Sequence, residues 1–151
     1  MENKKTYGKD IDTALNTWIK LSRAYSQMFN LTHDNIRTFN LTVPQFGVIE
    51  VLGHLGPLRV GQLCDKMLSS GGNMTLVLDN LEKDNLIERI FAKEDRRAIN
   101  VKLTEKGEEL FNRIFIKHAE FIQEQMNVLS NDELTKLGDL LKKLGLGLKE
   151  K

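Results

Sequence analysis

Between residues 10 and 38, Ile11, Leu15, Trp18, Tyr25, Met28/Phe29 and Ile36 recur at steps of three and four, with Ser22 and Thr32 on the same line. That spacing keeps them on one face of a single helix. A helix of this length reaches about 40 Å, and its apolar stripe is larger than a small domain can cover. The other end of the chain has the same character. Thr104 caps a long pattern through Leu110/Phe111, Ile114, His118, Phe121/Ile122, Gln125/Met126 and Leu129. Ser130-Asn131-Asp132-Glu133 then has the form of a capping box and opens a last helix with Leu134, Leu137, Leu140/Leu141 and Leu144. Gly145 and Gly147 are expected to fray the tail.

Shorter elements fill the middle. Thr42 is an N-cap before Val43 and Pro44; Phe46, Val48/Ile49, Leu52 and Leu55 form an apolar face, and Gly56-Pro57 stops the helix. A third helix is expected over 59–68 with Val60, Leu63, Cys64 and Met67 inward, and a fourth over 72–85 burying Met74, Val77/Leu78 and Leu81. The period then changes to two. Ile87-Glu88-Arg89-Ile90-Phe91 and 98–103 read as paired strands around the charged turn Lys93-Glu94-Asp95-Arg96-Arg97.

The fold class that follows is mainly α with a small β-hairpin wing: a winged helix-turn-helix core flanked by long N- and C-terminal dimerisation helices. With 151 residues and no internal repeat, one continuous unit over 1–151 is expected. Its reading head is 42–103, and 10–38 with 104–144 form the helical dimerisation region.

In such a layout the second helix of the pair enters a DNA major groove, and its leading end should be short and polar. Ser69, Ser70, Gly72, Asn73 and Thr75 meet that demand, and Leu76 follows them. The hairpin tip brings Lys93, Arg96 and Arg97 to phosphates or a narrow minor groove. Asp95 is suited to orienting the Arg97 guanidinium. Bulk charge lends this no help. Lys and Arg number 22 against 21 Asp and Glu, and the stretch 59–106 holds nine against eight.

The run Asp95-Arg96-Arg97-Ala98-Ile99-Asn100-Val101-Lys102-Leu103-Thr104-Glu105-Lys106-Gly107 resembles the D-x-R…V-x-L-T-x-x-G signature of the multiple antibiotic resistance regulator (MarR) family. Met74-Thr75-Leu76-Val77-Leu78-Asp79-Asn80-Leu81-Glu82-Lys83 is similar to that family's recognition helix. The resemblance implies a homodimer on double-stranded DNA with a palindromic operator, most simply a repressor released by a small aromatic or phenolic ligand or by an oxidant. It implies a ligand cleft between the long helices and the reading head, for which Trp18, Tyr25, Phe46 and Phe115 are the candidates. The Ser70–Thr75 turn is similar to that of relatives responding to quinones and phenols. One departure is Asn85, where the family usually has glycine.

Other classes find little support. No Gly-rich phosphate loop, nucleophile elbow or clustered triad points to an enzyme, and no catalytic residue or cofactor is expected. His33, His54 and His118 form no metal motif. Cys64 is expected to be a buried core thiol. A single cysteine, no long apolar run and a polar first ten residues suggest a cytoplasmic protein without membrane contact. The alternative function is a protein-interaction module that keeps this fold without binding an operator.

Overall fold

The computed structural model describes residues 5–67, 74–91 and 99–149. Its elements in chain order are α1 (Lys9–Arg37), α2 (Val43–Leu55), β1 (Leu58–Arg59), α3 (Val60–Lys66), α4 (Met74–Lys83), β2 (Ile87–Phe91), β3 (Ile99–Leu103), α5 (Glu105–Met126) and α6 (Asn131–Lys149). The expected order of elements is therefore present, with one addition. Strand β1 pairs Leu58 with Val101 and Arg59 with Asn100, making a three-stranded antiparallel sheet in the order β1-β3-β2. Two residues are too few to leave a period in the sequence.

Local chemistry explains the boundaries. Thr42 Oγ1 accepts from the Gln45 amide and Gln45 Oε1 accepts from the Thr42 amide, so α2 opens on a full capping box. It ends where Gly56 takes φ 75°, a left-handed turn that a side chain would oppose. Ser130 and Glu133 exchange the same pair of bonds at the start of α6. After α4 the chain turns through Asn85 at φ 57°, and the Leu86 amide reaches back to the Leu81 carbonyl. Asparagine tolerates this conformation but glycine suits it better. Asn85→Gly is expected to raise stability by about 0.5 kcal/mol, read as a higher denaturant midpoint at unchanged slope.

The core lies between α2, α4, the sheet and α5. Val48, Ile49, Leu63, Leu78, Leu81, Ile87 and Val101 are fully buried there. Ile36 at the end of α1 and Ile114 on α5 close it on one side. Two expectations need correction. Cys64 is exposed, because Leu63 takes the inward position of α3 and its neighbour is turned about 100° away. The tail does not fray at Gly145: α6 runs through both glycines to Lys149. Glycine weakens a helix without breaking its hydrogen-bond ladder, and no proline follows to stop it.

The long helices keep their apolar stripes uncovered. Ile11, Leu15, Trp18, Tyr25 and Phe29 on α1 are exposed, as are Leu140, Leu141, Leu144 and Leu148 on α6. No residue of α6 is buried. Among the described residues, no helix is long and apolar enough to cross a membrane.

Candidate nucleic-acid interface

Helix α4 has three faces. Leu78 and Leu81, with half-buried Met74 and Val77, hold it to the core. A second face carries Thr75, Asp79 and Glu82, and it is turned toward strand β2 by a single side chain. The Arg89 guanidinium lies 2.6 Å from Asp79 Oδ1 and 2.8 Å from Glu82 Oε2, and it also reaches the Thr75 carbonyl at 3.4 Å. The Arg89 amide donates to Glu82 Oε1 as well. Arg89 is half-buried, so this charge-assisted pairing is partly shielded from solvent. It fixes α4 to strand β2.

Strands β2 and β3 pair from Ile87 opposite Leu103 to Phe91 opposite Ile99. Lys102 and Glu88 face each other in that ladder and join at 2.7 Å. The base of the hairpin is clasped by the start of α5. Thr104 donates its hydroxyl to the Asn85 carbonyl at 2.7 Å and accepts from the Gly107 amide at 3.0 Å. The Thr104 amide bonds the Leu86 carbonyl, and Lys106 Nζ bonds the Asp84 carbonyl. Three successive carbonyls after α4 are thereby satisfied from one helix start.

Of the sequence-derived DNA contacts, Thr75 and Leu76 are exposed on α4, Leu76 to 56%. Ser69, Ser70, Gly72, Asn73, Lys93, Asp95, Arg96 and Arg97 lie outside the described residues. Arg89, which pairs with Asp79 and Glu82, is not among the contacts expected from the sequence. A signal was there: acids at i and i+3 followed by an arginine in the next strand.

The four candidate ligand residues separate into two settings. Trp18 and Tyr25 stand exposed on α1 at 64% and 66%, Tyr25 packing its ring against Phe29. Phe46 is buried, with Phe39 stacked on one side and the His118 ring centred 4.6 Å away. Phe115 is half-buried, edge-on to His54 and stacked with Phe111. Among the described residues no ring pair joins Trp18 or Tyr25 to Phe46 or Phe115.

Among the described residues His118 is the buried polar one, with Nδ1 2.8 Å from Asn35 Oδ1 across α1 and α5. Burial holds its pKa below the usual histidine value. The neutral ring, donating to the amide oxygen, suits this place. Burial raises the Glu50 carboxyl on α2, and His54 one turn on opposes that rise. Among the described residues no three His, Cys, Asp or Glu side chains come together as a metal site.

Comparison with known proteins agrees with this geometry. The MarR family model matches residues 41–99, the span from just before α2 to the first residue of β3. The chain is 37% identical over 139 residues to the HTH-type transcriptional regulator MhqR of Bacillus subtilis, covering 92% of this chain and 96% of that protein. Among solved structures, NadR in complex with 4-hydroxyphenylacetate is 26% identical with a TM-score of 0.69, covering 95% of this chain and 97% of its own. The Streptomyces coelicolor MarR-family regulator Sco3205, in complex with DNA, has a TM-score of 0.82 over 97% of this chain and 93% of its own. At 17% identity that last likeness concerns the fold.

Proposed function

The chain belongs to the MarR family and is a transcriptional regulator rather than an enzyme, and we propose that it works as a homodimeric repressor of a palindromic operator. Two copies of α4 enter successive major grooves about 34 Å apart. Ser69, Ser70, Gly72, Asn73, Thr75 and Leu76 then lie at or near the bases. Lys93, Arg96 and Arg97 engage the backbone and the minor groove beside each half-site, with Asp95 orienting Arg97.

The observation that carries this reading is the Arg89 clamp, which ties α4 to strand β2 while Thr75 and Leu76 stay exposed. The clamp also bears on the balanced charge of this region, which lends DNA binding no help. Arg89 offsets two acids and Lys102 one, so seven of the nine Lys/Arg and five of the eight Asp/Glu in 59–106 lie outside these pairs. Dimerisation is supported by the uncovered stripes of α1 and α6.

A small aromatic or phenolic ligand, or an oxidant, relieves repression by changing the separation of the two reading heads. The phenolic class is supported by NadR, which is similar to this chain and binds 4-hydroxyphenylacetate. We propose the ligand cleft between the long helices and the reading head, with Trp18, Tyr25, Phe46 and Phe115 as its candidate residues, the first two exposed on α1 and the other two packed against the core.

Fluorescence anisotropy on palindromic segments upstream of the protein's own gene, against scrambled DNA at two salt concentrations, tests the operator. Arg97→Ala is expected to weaken operator binding by about 1–3 kcal/mol while the dimer stays folded. Unchanged affinity at matched salt would remove the wing from the interface.

A further inference from the structure

The third face of α4 carries Leu76, Asn80 and Lys83, spaced four and three apart, roughly 100° round the helix from Thr75, Asp79 and Glu82. All three are exposed. Among the described residues neither the Asn80 side chain nor the Lys83 ammonium has a hydrogen-bond or ion-pair partner, whereas Asp79 and Glu82 are both engaged by Arg89. The acids are thus drawn toward β2, and the outward stripe is left with an apolar group, an amide and a cation.

Those groups match DNA chemistry in order. An asparagine amide pairs with the major-groove edge of adenine through two bonds: its oxygen accepts from N6 and its nitrogen donates to N7. A leucine one turn earlier suits the methyl group of a thymine. Lysine near the helix end suits a phosphate. Asparagine is also a poor residue for a helix interior, so its place in mid-α4 is not explained by helix propensity.

We propose that Asn80 is a specificity-determining residue of α4, reading an adenine in each half-site, with Leu76 against a neighbouring thymine methyl and Lys83 on the backbone. The inference rests on the DNA-reading function proposed above and adds which face of the helix does the reading.

Selection of the full-length protein against a pool of randomised duplexes tests it. The wild-type protein is expected to enrich an A·T pair at one fixed position of each half-site. Asn80→Ala is expected to flatten that position, with discrimination there falling roughly ten-fold, and to leave the others intact. Asn80→Arg is expected to move the preference toward G·C, a change that loss of folding cannot imitate. Lys83→Ala should weaken binding evenly across sequences and reduce the salt slope by about one per subunit. An Asn80→Ala protein that enriches the wild-type motif at every position would overturn the assignment alone. A wild-type protein that enriches no motif would overturn the DNA-reading function, and this inference with it.

Discussion

Replacing Gly107 by alanine is expected to lower the melting temperature by about 10 °C, corresponding to a loss of about 3 kcal/mol. A Cβ at this position would lie 2.0 Å from the Leu86 carbonyl oxygen and 3.3 Å from the Leu103 Cβ. The first of these neighbours is backbone and cannot swing aside. Relief would require α5 to retreat from the loop after α4, and that loop is where Thr104 and Lys106 hold three carbonyls. An unpaired buried carbonyl costs about 1–3 kcal/mol, so neither the clash nor the retreat is mild. Gly61→Ala on α3 is the control, since a Cβ there meets nothing within 4 Å. It should be neutral or stabilising by up to about 1 kcal/mol, because alanine is the better helix former. Equal losses in the two variants would show that close approach is not what holds glycine at 107.

That closing T-x-x-G of the signature illustrates how unevenly the fold could be read from sequence. Thr104 was legible as a cap, since a threonine ahead of an amphipathic run has a local meaning. Gly107 was visible only as a letter in a pattern, because its reason is a contact with Leu86 twenty-one residues away. The same division runs through the candidate site. The bounds of α2 and β2 followed from periodicity and capping, which are local. The Arg89 clamp depends on strand β2 crossing beside α4, and no spacing within either element encodes that. Cys64 failed for a related reason: a seven-residue helix with one buried position leaves the side of every other residue to tertiary packing. His118 sat on the inward line of α5, yet its Asn35 partner is eighty-three residues away and was not foreseeable.

The double substitution Leu140→Asp, Leu144→Asp is expected to give a monomer by analytical ultracentrifugation and to weaken operator binding by at least about 100-fold. Both leucines are exposed on a helix that buries none of its own residues, and α1 presents a comparable uncovered stripe. Nineteen residues of helix gain little from propensity alone, so α6 needs a partner surface for its apolar face. In the proposed homodimer a second copy of α1 and α6 would offer one of matching character, and a two-fold arrangement would make each stripe cover the other. Two carboxylates placed there would have to be buried unpaired, at a cost of several kcal/mol each. The DNA effect then follows from geometry rather than from any lost contact. Each reading head would engage one half-site alone, and the gain from joining two of them would vanish. Because the core around Val48, Leu63, Leu81 and Val101 is remote from α6 in the contacts it makes, the reading head itself should keep its cooperative melt. A variant that stays dimeric with operator affinity intact would move the interface off α6.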